Sequence, residues 1–340
     1  MANNYLHGAF ADLGDSVTKS ALQSGTVAVY VGVAPVNLVS DYKESECINL
    51  PVKVANFRDA QKKLGYSEDW SAFSLCEAFA AHFDNGLRNI GPIYCINVLD
   101  PEKHKKSSST NVSTKFDNKV IELKSDTVIL DSVSIGEYVR GKDFAVDYNF
   151  TTGTLVITAL KDELAKSESV TVAYDEVDPS KISETDIVGG VSAAGVYTGL
   201  SAIQLLYQRE NQVANLIVSP GYSEKKQVYA AMINAASKIN GHWESFVFAD
   251  IPIENNDTIV KARTWRKENG YNSERSEVGY PQFIDPRTDR IYHWSTINTV
   301  AAMLTDYDND GIPFESTSNK ETFIGKQYFG EESKNNGFDQ

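Results

Sequence analysis

The chain has 340 residues, 41% of them hydrophobic and 23% charged, the proportions of a globular protein long enough for two domains. Its 46 acidic and 32 basic residues give a net charge of −14, which argues against binding nucleic acid through the phosphate backbone. Cys47, Cys76 and Cys95 show no Cys-x-x-Cys spacing and read as buried thiols of a reducing compartment, not as a disulfide framework or zinc site.

Met1 to Gly25 is polar and Gly-interrupted, with neither the basic start nor the apolar core of a secretory signal. No run in the chain approaches the ~20 apolar residues that span a membrane, so the sequence predicts a soluble cytosolic protein. Thr26 to Ala34 is a continuous apolar run, as expected of a strand buried on both faces, and Pro35 ends it. Asn56 is placed to cap a short helix that Gly65 stops. Ser67 is placed to cap a longer helix to about Asp84, whose Leu75, Phe79 and Phe83 would form one buried stripe. Ile93 to Leu99 reads as the next strand.

From about residue 101 to 183 the pattern becomes β. The basic run Lys103-His104-Lys105-Lys106 leads into Ser107-Ser108-Ser109-Thr110 and reads as a solvated linker. Phe144, Val146 and Tyr148 alternate with polar neighbours, as do Leu155, Ile157 and Ala159 beyond a turn containing Gly153; Val170, Val172 and Tyr174 repeat the alternation. Period two around a Gly-containing loop predicts hairpins with one buried face. Past this region Ala214 to Val218, a helix started by Ser223, and Ser245 to Ile251 form a βαβ unit with parallel strands. Trp294 to Thr305 reads as a late helix capped by Ser295. The expected fold is therefore a mixed α/β core (26–100 and 184–340) interrupted by a small all-β domain (101–183) and preceded by an extended arm (1–25).

No pattern in the chain assembles catalytic chemistry. Gly189-Gly190-Val191-Ser192-Ala193-Ala194-Gly195 lacks the Lys-Ser/Thr of a phosphate loop and has Val196 and Tyr197 there instead, so it reads as a tight linker. Asp306, Asp308 and Asp310 before Gly311 match the first half of a calcium loop. Phe314 and Thr317 then stand where ligands should close it, which favours a solvated turn. The five histidines have no metal-ligand spacing; His242 and His293 each precede a tryptophan, which suggests packing. Asp250 ends a buried strand, where α/β enzymes often carry a carboxylate, but no partner is evident. An enzyme with Asp250 and the Gly189–Gly195 loop at its strand ends is the alternative reading. A carbohydrate-binding platform of Tyr138 and Tyr148 ranks below it, since alternation predicts a buried Tyr148.

Several segments, taken in order, resemble the tail sheath proteins of contractile bacteriophages and related contractile bacteriocins. They are Tyr5-Leu6-His7-Gly8-Ala9-Phe10; Gly25 to Pro35; Asp186-Ile187-Val188-Gly189-Gly190 with Tyr197-Thr198-Gly199-Leu200; Leu216 to Gly221; Phe248-Ala249-Asp250-Ile251-Pro252; and Pro313-Phe314-Glu315-Ser316 with Ser318-Asn319-Lys320. The resemblance implies a structural subunit without cofactor, stacked in rings around a tail tube and contracting to drive that tube through a cell envelope. It implies partners in the tube, baseplate and tail terminator proteins and in further copies of itself, with assembly in the bacterial cytoplasm into a virion tail or tail-like particle. It also implies a family C-terminal region beyond Gln340. Tyr5, Phe10 and Leu13 are the expected anchors of an arm that adds a strand to a neighbouring subunit.

Overall fold

The computed structural model describes residues 21–330. Strand β1 (Leu22–Gly32) begins four residues before the apolar run. Its first residues pair with Ile90 and Gly91, and a register shift between Gln23 and Ala28 separates them from the buried half. The arm boundary expected at Gly25 is thus corrected: residues 22–25 already belong to the sheet. Then come β2 (Pro51–Val54), α1 (Phe57–Leu64), α2 (Leu75–Phe83) and β3 (Ile90–Asn97). Asn56 caps α1 by accepting from the Asp59 N–H at 2.9 Å, and Gly65, at φ 77°, ends it.

The long helix expected from Ser67 is not formed. Turns occupy its first part, and Ser67 Oγ instead donates to Asp126 Oδ2 at 2.7 Å. What remains, α2, is buried on every side rather than along one stripe, including Glu77 and His82.

The next stretch holds β4 (Thr110–Thr114), β5 (Val120–Lys124), β6 (Ser134–Ile135), β7 (Phe144–Asn149), β8 (Thr154–Ala159), α3 (Asp162–Ala165) and β9 (Val170–Tyr174). They form two three-stranded antiparallel sheets, ordered β4-β9-β6 and β5-β8-β7. Their inward residues, among them Phe144, Tyr148, Leu155, Ile157 and Val172, make an apolar cluster separate from the main core. Asn37, fully buried, ties the two bodies by donating to the carbonyls of Asp126 and Val128 at 3.0 and 2.9 Å.

The chain then returns through α4 (Glu184–Val188), the hairpin β10 (Gly190–Val191) and β11 (Tyr197–Thr198), and α5 (Leu206–Glu210). The remaining elements are β12 (Leu216–Val218), α6 (Lys226–Ser237), β13 (Phe246–Asp250), α7 (Ile259–Asn269), β14 (Ser276–Gly279), β15 (Gln282–Ile284), β16 (Ile291–Tyr292), α8 (Trp294–Asp308) and β17 (Lys326–Tyr328). The central sheet has the order β14-β13-β12-β1-β3-β2, parallel except for β2 at its edge. Its inner strands β1, β3, β12 and β13 read as near-continuous apolar runs because helices cover both faces. The architecture is mixed α/β. No described helix is long and apolar enough to cross a membrane.

Candidate functional site: a buried acid–histidine cluster

The carboxyl ends of parallel strands are where a doubly wound sheet leaves a crevice for ligands. Here that place is filled. Ser219, fully buried, donates from Oγ to the Val31 carbonyl at 2.8 Å, and Ser74 Oγ accepts from Val33 N–H at 3.2 Å. A Cβ at Gly32 would sit 2.5 Å from that Ser74 oxygen, so only glycine lets α2 approach β1 this closely.

Beside the filled crevice, at the end of β13, four ionisable side chains converge. Asp250 is buried and accepts from Ser295 N–H at 2.8 Å, Ser295 Oγ at 2.6 Å and Ser223 Oγ at 2.9 Å. It caps the amino end of α8 from across the fold. That corrects two local expectations: neither Ser223 nor Ser295 caps its own helix, because both hydroxyls are directed to Asp250. Glu77 of α2 does the same for the preceding residue, accepting from His293 N–H at 2.7 Å and His293 Nδ1 at 2.6 Å. His293 Nε2 lies 3.8 Å from Glu224.

Two carboxylates therefore meet the positive end of the α8 dipole, which favours their charge. Burial pulls the His293 pKa down, but Glu77, joined by Asp250 and Glu224, outweighs it and pushes the pKa up to about 10. Burial raises Glu224 to about 7 against the opposing charge of His293. Burial likewise raises Asp250, offset by His293 and by its hydrogen bonds. The cluster joins α2, β13 and the start of α6 to α8, elements from both halves of the chain. It acts as a rivet through the core, in which Asp250 and Glu77 are buried while His293 and Glu224 are partly exposed.

The other residues singled out by the sequence are used structurally. At Gly189 (φ 61°) a Cβ would meet the Thr198 carbonyl oxygen at 1.9 Å, and at Gly199 (φ 53°) the Ile187 oxygen at 2.4 Å; these glycines allow two backbone segments to cross. The Gly189 loop borders an open groove whose Lys103 is paired with Asp186 at 2.5 Å. It shares no hydrogen bond with Asp250. Asp306 and Asp308 lie in the last turn of α8, not in an open turn. Asp306 is buried and accepts from Thr26 Oγ1 at 2.5 Å, while Asp308 takes both nitrogens of Arg88 at 2.8 and 2.7 Å. Among the described residues no group of acidic, His or Cys side chains is arranged to hold a metal ion. Tyr138 is 37% exposed but Tyr148 only 6%, packed on Phe150, so the two form no platform. The arm residues Tyr5, Phe10 and Leu13 lie outside the described residues.

No family model matches the chain. It is 28% identical over 295 residues to the tail sheath protein of Burkholderia phage BcepMu, an alignment covering 83% of this chain and 56% of that protein. The chain is thus similar to a phage tail sheath protein over most of its length. A 75-residue stretch is also 35% identical to a protein of Pseudomonas aeruginosa strain UCBPP-PA14 named as a prophage major tail sheath protein, covering 22% of this chain and 19% of that one. The chain thus spans about half the length of the first of these relatives. A tail sheath protein is a structural phage protein and not an enzyme.

Proposed function

We propose that this chain is a structural subunit of a contractile tail sheath, which polymerises around a tail tube and shortens to drive the tube through a cell envelope. The observation that carries the reading is the in-order alignment of 83% of the chain with a phage tail sheath protein. A contractile lattice needs bodies that move as units and tethers that survive their rotation. The parallel sheet, riveted by Asp250, Glu77 and His293, is suited to be the moving body. The two small sheets of residues 110–174 are suited to an inserted domain carried on the outside of the particle, since the central sheet is continuous without them. Tyr5, Phe10 and Leu13 would anchor the arm as a strand added to a neighbour's sheet. Each backbone hydrogen bond adds only ~0.5–1.5 kcal/mol, multiplied over many subunits. Tube, baseplate and terminator proteins are the expected partners, in a virion tail or tail-like particle assembled in the bacterial cytoplasm.

The test of the tether is removal of residues 1–20, read by sedimentation velocity and thermal unfolding. The expected result is a folded chain that no longer associates; polymers of normal size from the shortened chain would remove the arm from the mechanism.

A further inference from the structure

Three Asn-Gly pairs lie among the described residues, at Asn85, Asn240 and Asn269. In this dipeptide the side-chain amide carbon meets the next backbone nitrogen most easily, because glycine has no Cβ to hinder the approach. Reaction then depends on what holds the amide and that nitrogen in the fold.

Two of the pairs are held. Asn85 is buried. Its Nδ2 donates to the Ala81 and Arg88 carbonyls at 2.8 and 2.9 Å, and its Oδ1 accepts from the Leu87 and Arg88 N–H groups at 2.8 and 3.0 Å. Asn269, in the last turn of α7, donates from Nδ2 to the Trp265 carbonyl at 2.8 Å, while the Gly270 N–H donates to the Arg266 and Lys267 carbonyls.

Asn240-Gly241 is different. It forms the turn between α6 and β13, in which the His242 N–H donates to the Ile239 carbonyl at 3.0 Å and the Ile239 N–H to the Trp243 carbonyl at 2.7 Å. Asn240 and Gly241 have φ of 48° and 78°, which with the first of those bonds makes a type I′ turn. Neither the Asn240 side chain nor the peptide unit joining it to Gly241 makes a hydrogen bond among the described residues. Gly241 is exposed, and a Cβ placed there would find its nearest atom 3.9 Å away, on the Lys238 side chain.

That peptide unit can rotate without breaking a hydrogen bond. The turn then becomes type II′, with ψ of residue 240 at about −120°, and Ile239 keeps its bond to His242. A five-membered ring closed between Cγ of Asn240 and the Gly241 nitrogen holds ψ near the same value, so the ring fits the turn in which it forms. Type II′ favours glycine at this position, which makes the rotated form a minor one and the reaction slow.

We propose that Asn240 is a site of spontaneous deamidation through a succinimide. The Gly241 nitrogen gives its proton to solvent base and attacks Cγ; the N–Cγ bond forms, the Cγ–Nδ2 bond breaks, and the side-chain nitrogen takes up a proton and leaves as ammonia. Water then opens the ring. Addition at Cγ gives aspartate, and addition at the main-chain carbonyl gives isoaspartate. Each conversion adds one negative charge to a chain of net charge −14, and isoaspartate also adds a backbone atom to the turn that leads α6 into β13. The proposal stands apart from the sheath reading.

The experiment incubates the folded chain in mildly alkaline buffer, then digests timed samples with trypsin for chromatography and fragment-ion mass spectrometry. The peptides of residues 64–88, 239–261 and 268–275 report the three sites separately. Asn240 should convert at least about tenfold faster than Asn85 and Asn269, which wait for local opening. Aspartate and isoaspartate should both appear, and mildly acidic buffer should slow the reaction. In concentrated urea the three rates should converge. Asn240→Asp, tolerated at its left-handed φ, supplies the aspartate reference peptide and should unfold at the temperature of the parent chain.

Equal rates at the three sites of the folded chain would overturn the proposal. So would an Asn240 that stays intact while the urea-unfolded chain converts, or aspartate as the sole product, which marks direct hydrolysis without a ring. A difference that persists in urea would place its cause in the neighbouring residues and not in the turn, and would overturn it equally.

Discussion

Asp250→Ala is the perturbation that most directly probes the rivet. The carboxylate accepts from one buried backbone N–H and two buried hydroxyls, all of which the alanine orphans. An unsatisfied buried donor costs about 1–3 kcal/mol, and loss of a helix cap about 1–2 kcal/mol. Ser223 can rotate and recover part of this, so the net loss should be about 3–5 kcal/mol, of which the N–H of Ser295 is the irreducible share. At roughly 2 °C per kcal/mol for a body of this size, the melting temperature should fall by about 6–10 °C. Asp250→Asn separates shape from charge. The amide keeps an acceptor for Ser295 N–H, and burial already shifts the native carboxyl toward its neutral form, so the loss should be only about 1–2 kcal/mol. Urea unfolding followed by far-UV circular dichroism, with calorimetry for the melting temperature, gives both values. A loss under about 1 kcal/mol for Asp250→Ala, or equal losses for Ala and Asn, would refute the capping argument.

The remaining predictions concern pH, backbone and thiols. His293 holds its proton up to about pH 10 in the folded chain but has an ordinary value near 6.5 unfolded, so its contribution is complete below pH 6.5 and is lost as pH rises toward 10. Melting temperature should therefore fall between pH 7 and 10, and His293→Gln should flatten that slope; an unchanged slope would contradict the Glu77 pairing. In acid the limb should come from His82, lowered to about 4 by burial, whose Nδ1 donates to the Ile90 carbonyl while Nε2 accepts from Tyr30. Its contribution is present above pH 6.5 and lost as pH falls through 4, partly offset by Glu224, whose contribution is lost as pH rises from 4.5 to 7. Gly189→Ala combines a φ of 61° with a Cβ 1.9 Å from a carbonyl oxygen, and should cost at least 2–3 kcal/mol by urea unfolding. A loss below 1 kcal/mol would mean that the crossing is looser than described. Burial raises the pKa of all three cysteine thiols, so none should react with a chromogenic disulfide at pH 8 before unfolding, and three should react afterwards. A fast-reacting thiol in the native chain would contradict the core assignment.

The strands were legible because their patterns are local. The alternation of Phe144, Val146 and Tyr148 against Leu155, Ile157 and Ala159 fixes the β7–β8 register, and the apolar runs of β1, β3, β12 and β13 mark strands covered on both faces. Helix starts were less so. Ser67, Ser223 and Ser295 are all good caps by local rule, yet each hydroxyl finds a carboxylate brought to it by tertiary contact. α7 escaped notice because Ile259 and Val260 face solvent, which erases the apolar period that marks a helix. Glu77, Glu224, Asp250 and His293 form no motif, since Glu77 stands 216 positions from the histidine it binds. Asp250 alone was visible, as a carboxylate at a strand end, and its partners exist only once the sheet is assembled.

Negative-stain electron microscopy tests the sheath claim most directly. It should image the purified chain alone and with a tail tube protein supplied as a template. Striated hollow cylinders around the tube protein are the predicted result. Monodisperse particles under both conditions would contradict it.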